Sequence, residues 1–289
     1  MKIFITKHKS RYTSKITEVN FTYSMNVHKV TKWWDGVSNN VTSTHDNMLK
    51  DLFPLKTMKT LKDLTLNSKC KSGLFVGSGA SEWAGSSLRM THCTADYSSR
   101  LGFRGLINIV AGEFANRIGF NDYISTDATA CISSLKAIED ATLQIKSGRL
   151  DRAIILGWDD AINPATIDVF GITKASLTKA IESSGILPSA FDDINYGFRI
   201  GNGVAYILLE NKKSLKETKH KIKAEVVSTF VGSEALTNPI QLTSKGYYNC
   251  MYQCLKLKNI SPASVALVKT HGSGTKVNNA AELGAFKKL

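Results

Sequence analysis

Residues Tyr123–Ser134 read YISTDATACISS. Ile124–Thr126 is a β-prone run, Asp127–Ala130 is built of small and turn-forming residues, and from Cys131 the spacing becomes helical, with Leu135, Ile138 and Ile145 recurring on one face. A strand turning directly into a helix is the repeating unit of an α/β fold. The turn also sets a thiol at a helix start, where unpaired N–H groups and the helix dipole favour thiolate. Small neighbours, Ala128, Ala130, Ser133 and Ser134, would let an acyl thioester approach, and the Cys131 N–H could donate to a developing oxyanion. Taken alone, the same features also describe a small buried cysteine.

Outward from this turn, short apolar runs alternate with helical periodicities from Gly73 onward. Strands are expected at Gly73–Gly77, Ile124–Thr126, Arg152–Trp158, Val204–Glu210, Ile222–Val231 and Val265–Thr270, and helices at Phe103–Ile118, Cys131–Ser147, Lys245–Leu257 and Asn278–Leu289. The pattern predicts a layered α/β/α protein with mostly parallel sheets. The polar stretch Asn211–Lys221 (NKKSLKETKHK) reads as a solvated connector, dividing the chain into halves 1–210 and 211–289. The first 72 residues show no clear pattern.

Composition narrows the classes. The chain has 289 residues with 43% apolar content, enough for a substantial core. Its start, MKIFITKHKS, has only Ile3–Ile5 as an apolar run, and no stretch is long enough to span a bilayer, so a cytoplasmic protein without membrane contact is expected. Five scattered cysteines (Cys70, Cys93, Cys131, Cys250, Cys254) fit a reducing compartment better than a disulfide framework. The net charge of +13 is uneven: Lys/Arg against Asp/Glu run 13 to 5 over residues 1–72, 11 to 15 over 73–210 and 13 to 4 over 211–289. No nucleic-acid-binding motif accompanies the basic flanks, which leaves a solvated face or an acidic protein partner.

A second informative stretch is Val268–Ala281 (VKTHGSGTKVNNAA), where His271 follows an apolar run into a glycine-bearing turn. With it a family likeness emerges. Thr129–Ser134 (TACISS) resembles the nucleophile signature of β-ketoacyl-[acyl-carrier-protein] synthases, and His271–Thr275 (HGSGT) with Asn278 and Glu282 resembles their first catalytic-histidine motif, HGTGT followed by N-D-x-x-E. Gly73–Ser78 (GLFVGS), Asn108–Gly119 (NIVAGEFANRIG), Ser189–Phe198 (SAFDDINYGF) and Arg199–Glu210 (RIGNGVAYILLE) are similar to further family segments, so the likeness runs through residues 73–289.

The resemblance implies a thiolase-like fold and decarboxylative Claisen condensation in fatty-acid or polyketide synthesis. Cys131 would be the acyl-accepting nucleophile and would supply an oxyanion N–H; His271 would donate to the malonyl thioester oxygen and stabilise the enolate. Thr129 and Ser134 beside the cysteine, and Gly272, Thr275, Asn278 and Glu282 around the histidine, would be supporting residues. The chain itself would bind no cofactor and no metal; phosphopantetheine would arrive on acyl carrier protein, an acidic partner suited to the basic flanks. A homodimer, or a heterodimer with a ketosynthase-like chain, is implied, without nucleic acid.

Departures from the family pattern are Asn279 where Asp is usual, Asn202 where the G-E-G strand has Glu, and the lack of a second histidine in a G-H motif and of an F-G-G turn. The second half is thus expected to be incomplete, the missing part being supplied by a partner, cut away or lost. A non-condensing interaction subunit is the alternative function, and a degradative thiolase fits HGSGT less well. Elsewhere, Cys250 and Cys254 are spaced as half a metal site with nothing to complete it, which favours packing. His92 next to Cys93 reads as ordinary loop residues and His8, His28, His45 and His220 as surface residues; the clusters Gly77–Gly79 and Gly201–Gly203 each begin like a phosphate-binding turn but lack what a nucleotide site needs, and Trp33 and Trp34 read as buried anchors.

Overall fold

The computed structural model describes residues 1–11, 61–63, 68–79, 106–160, 170–173, 175, 190–191, 197–198, 202–234 and 242–289. The chain forms two compact units, Met1–Thr166 with Gly201–Val226, and Ile167–Ile200 with Val227–Leu289. The expectations for Trp33, Trp34, His28, His45, His92, Cys93 and Gly201 lie outside the described residues.

The first unit is a six-stranded sheet with helices on both faces. Its elements are β1 (Ile3–Arg11), β2 (Ser72–Gly77), α1 (Ile107–Ile118), β3 (Tyr123–Asp127), α2 (Ser133–Lys146), β4 (Arg152–Asp160), β5 (Asn202–Asn211), α3 (Lys212–Thr218) and β6 (Ala224–Glu225), with strand order β3-β2-β4-β5-β1-β6. Among the described residues, parallel pairing is confined to β2 with β3 and with β4, the strands linked by α1 and α2; the pairs β4–β5, β5–β1 and β1–β6 are antiparallel. The sheet is therefore mixed rather than mostly parallel. Parallel neighbours need a crossover connection, and the two crossover helices lie among β2, β3 and β4.

Side-chain alternation sorts the core into two layers. Leu74 and Val76 of β2 and Ile154, Leu156 and Trp158 of β4 meet Val110, Phe114 and Ile118 of α1 on one face. Phe75, Ala153 and Ile155 meet Ala137, Ala141 and Ile145 of α2 on the other. Both faces are covered, which is why β2 is buried along its whole length and reads as a continuous apolar run. Each large side chain so buried contributes about 1.5–3 kcal/mol. Helix α1 stops at Gly119, whose φ of 66° is left-handed and whose N–H returns to the carbonyls of Ala115 and Asn116.

The stretch expected to be a solvated connector carries α3. Asn211 caps it, its side chain accepting the Ser214 N–H at 2.9 Å, and both residues are buried. Ser214 and Thr218 aim their hydroxyls from this helix at the fully buried Glu210, at 2.6 and 2.9 Å, while Thr6 (2.6 Å) and His220 Nδ1 (2.7 Å) reach its other oxygen. His220 is thus half-buried in a hydrogen bond with Glu210 rather than a free surface residue.

In the second unit, α4 (Ser244–Lys256) and α5 (Lys276–Phe286) pack together, and Gly284 lets them approach: a Cβ there would lie 3.1 Å from that of Ser244. The strand expected at Val265–Thr270 is not formed. A strand requires a hydrogen-bonded neighbour, none pairs with this run among the described residues, and Leu267 is 86% exposed. The strand expected at Ile222–Val231 shrinks to β6, because β1 pairs only as far as Phe4 and Ile5 on that side. No described helix is long and apolar enough to cross a membrane.

Candidate active site

Cys131 stands at the junction of β3 and α2, inside a 3-10 turn, Ala130–Ile132, that precedes the α-helix proper. The α-helix proper begins at Ser133 rather than at the cysteine, with Ile132 (φ −100°, ψ 3°) as its N-cap, and Ala130 just before the cysteine has a left-handed φ of 51°. A non-glycine residue there costs on the order of 1–3 kcal/mol and persists only where its surroundings enforce it. Cys131 is exposed, which removes the packing explanation for the residue.

Three glycines bring the sheet against this turn. A Cβ on Gly77, at the end of β2, would stand 2.6 Å from the Ser133 carbonyl and 2.7 Å from the Ser134 nitrogen. One on Gly79 would stand 2.8 Å from the Ala130 oxygen, and one on Gly157 of β4 would stand 2.5 Å from Ser134 Oγ. Real Cβ atoms do not approach so closely, so these positions hold glycine for space. Ser133, 2% exposed, accepts the Thr129 N–H at 2.9 Å through its hydroxyl, which lies 2.6 Å from the Ala130 oxygen and 3.0 Å from the Ser78 oxygen. Ser78 is held in turn by its own N–H on the Asp127 carbonyl (3.1 Å) and by its hydroxyl on Asp159 (2.9 Å). Gly77, Gly79, Gly157, Ser78 and Asp159 were not apparent as site residues in the sequence. Their one local signal was glycine inside or just beyond apolar strands, which marks a close approach of backbone.

Asp127 closes β3 beside the turn. Burial, and then the Asp140 carboxylate, push its carboxyl above the ordinary range against the pull of Lys136, and its Oδ2 is buried without a hydrogen-bond partner. Lys136 pairs with Asp140 one helical turn along α2.

The His271 turn belongs to the second unit and is tied down from α5. Glu282, 3% exposed, accepts the N–H of His271 at 2.7 Å and of Gly272 at 2.9 Å. Asn278 donates to the same carboxylate at 3.0 Å and accepts the Tyr247 hydroxyl of α4 at 2.7 Å. Gly272 and Gly274 have φ of 59° and 70°, and a Cβ on Gly272 would crowd Thr270 Oγ1 at 2.9 Å. Thr275 caps α5 by position, with its hydroxyl 2.9 Å from Ser273 Oγ. The imidazole of His271 is left exposed by this bracing.

Cys250 and Cys254 are half-buried on α4, near Gly232 and bonded to Ser228, and no group of three metal-ligating residues occurs among the described residues.

The family model for "Beta-ketoacyl synthase, N-terminal domain" matches residues 7–214, and that for "Beta-ketoacyl synthase, C-terminal domain" matches 224–289. The chain belongs to the β-ketoacyl synthase family. Among curated ketoacyl synthases it is 32% identical over 194 residues to a putative mitochondrial 3-oxoacyl-[acyl-carrier-protein] synthase of Schizosaccharomyces pombe, covering 66% of this chain and 45% of that protein. It is 28% identical over 186 residues to 3-oxoacyl-[acyl-carrier-protein] synthase 2 of Rhizobium meliloti, covering 64% and 44%. The chain spans less than half the length of these relatives. A β-ketoacyl synthase from Burkholderia phymatum STM815 superposes with a TM-score of 0.74 at 18% identity, over 100% of this chain and 78% of that one. A ketosynthase structure described as a type II polyketide acyl-carrier protein in complex with its ketosynthase bound to the hexaketide matches at 0.67 and 21%, over 76% and 57%. These ketosynthases share the thiolase-like α/β fold, and the two motifs that suggested the family, at Cys131 and His271, lie one in each matched region.

Proposed function

We propose that this chain accepts an acyl group on Cys131 from acyl carrier protein, as the loading step of β-ketoacyl synthase condensation. The observation that carries the reading is an exposed thiol on a turn that the rest of its unit holds rigidly, in a chain of this family. The Cys131 sulfur adds to the carbonyl carbon of a phosphopantetheine thioester to form a tetrahedral oxyanion, whose collapse breaks the carrier's S–C bond, and the carrier thiol departs with the proton given up by the Cys131 thiol. Cys131 N–H serves the oxyanion, with Thr129 and Ser134 shaping the turn. His271 then donates to the malonyl thioester oxygen, with Gly272, Thr275, Asn278 and Glu282 fixing its backbone. A second donor to the enolate would come from a complementing chain or segment, within a homodimer or heterodimer.

The test is intact-mass analysis after incubation with acyl-loaded carrier protein, with peptide mapping. A thioester adduct on Cys131, absent in Cys131→Ala, is expected. A folded protein that never gains the adduct overturns the proposal.

A further inference from the structure

We infer that Ser133 is the positioning residue for Cys131: its hydroxyl locks the left-handed Ala130 that presents the thiol. The inference rests on the reading of Cys131 as nucleophile. Ser133 bonds the peptide group before Thr129 and the one after Ala130, accepting the Thr129 N–H at 2.9 Å and lying 2.6 Å from the Ala130 carbonyl oxygen. It thereby spans the residue whose φ of 51° departs from the conformation its side chain prefers. Its third neighbour, the Ser78 oxygen at 3.0 Å, belongs to the residue following β2, so the lock is anchored to the sheet rather than only to the loop.

The rest of the turn explains why such a lock is needed. Gly77, Gly79 and Gly157 make room for the turn but have no side chain with which to hold it. Without the Ser133 hydroxyl, the Thr129 N–H and the Ala130 carbonyl lose a part-buried hydrogen-bond partner and Ala130 is free to relax toward right-handed φ. That rotation re-aims the following peptide unit, and with it both the Cys131 sulfur and its N–H. Reactivity of this kind depends on orientation, and a misplacement near 1 Å costs on the order of a hundredfold.

The experiment measures the second-order rate of iodoacetamide alkylation at Cys131, read by peptide mass because the chain carries four other cysteines, Cys70, Cys93, Cys250 and Cys254. Acylation from acyl-loaded carrier protein is followed in parallel, with thermal melts. Ser133→Ala is expected to slow both reactions at Cys131 roughly tenfold or more while the protein stays folded. Adding Ala130→Gly should return the rates toward wild type, because glycine takes positive φ without the hydroxyl's help. A role in packing alone would not be rescued by a change at residue 130. Wild-type rates in Ser133→Ala overturn the inference, as does a folded double variant that stays slow. If Ser133→Ala does not fold, the double variant decides: a folded, reactive protein supports the lock, and failure to fold or to react overturns it. If the wild-type protein alkylates at Cys131 but never acylates, the carrier-protein reading fails while the Ser133 result stands.

Discussion

Glu282 accepts the backbone N–H of His271 at 2.7 Å, and the second oxygen of the same carboxylate takes the next N–H, that of Gly272, at 2.9 Å. A carboxylate facing two consecutive amides fixes both orientations at once, and charge-assisted bonds of this sort are about twice as strong as neutral ones. Glu282→Ala leaves two N–H groups and the Asn278 amide without their acceptor, at a cost of about 2–3 kcal/mol. Glu282→Gln keeps one good acceptor and should lose about half as much. Urea denaturation followed by fluorescence checks the order. Since the carboxylate braces only the His271 turn, loading of Cys131 should survive in both variants.

His271→Ala separates the two chemistries more sharply. Removing one donor to developing charge typically lowers a rate by a factor on the order of 10²–10³. With a complementing ketosynthase-like chain present, the expected result is an unchanged Cys131 acyl adduct together with loss of malonyl decarboxylation, monitored as carbon dioxide release. Equal decarboxylation by the variant and the parent would remove His271 from the mechanism.

The glycines divide into those that are needed for space and those that are not. Gly77→Ala drives a methyl group into backbone atoms of Ser133 and Ser134, which cannot step aside, whereas Gly157→Ala meets the Ser134 side chain first. Both should destabilise, by about 1–3 kcal/mol, and Gly77→Ala more than Gly157→Ala. Gly112, inside α1 with nothing within 4 Å of a built Cβ, is the control. Gly112→Ala should stabilise by about 0.5–1 kcal/mol through helix propensity and a less flexible unfolded chain. Melting temperatures of the three variants test the ranking.

How much of this was legible in the sequence follows from what each feature depends on. Strands β2, β4 and β5 and helices α1, α2 and α5 were visible because burial on one face or both imprints a local period, and α4, which buries no residue fully, through its amphipathic spacing. Val265–Thr270 has equally strand-like residues, yet forming a strand is a property of a pair, and a one-dimensional pattern carries no partner. Helix α3 was missed for the converse reason: its lysine-rich surface hid a cap, Asn211 on Ser214, that uses only two residues. Cys131 and His271 stood out through motifs written in consecutive residues. The contacts that hold the Cys131 turn, Gly157 to Ser134 and Ser78 to Asp159, join segments distant in sequence.

Two carboxylates of the same sheet should titrate with opposite effects on stability. Burial raises the Glu210 carboxyl, but Ser214, Thr6 and His220 outweigh it and hold it below the ordinary carboxylate range. A depressed folded value means stability fully present above the unfolded pKa, about 4.3 for glutamate, and lost as pH falls through the folded one. Asp127 is raised instead, by burial and then by Asp140, so its ionised form is disfavoured in the folded protein. Its contribution is present below the unfolded value, about 3.9, and disappears as pH rises through the folded one. Glu210→Gln should therefore destabilise the protein at neutral pH and flatten the loss of stability on acidification. Asp127→Asn should stabilise it at neutral pH, with the gain shrinking as the parent's carboxyl takes up its proton. Denaturant midpoints measured from pH 7 down to pH 3 separate the two, since the wild-type and variant curves must converge on acidification in both cases, but from opposite sides. Parallel curves for Asp127→Asn would mean that the carboxyl does not change protonation between the folded and unfolded chain, and the same outcome for Glu210→Gln would mean that its four donors do not favour the charged form.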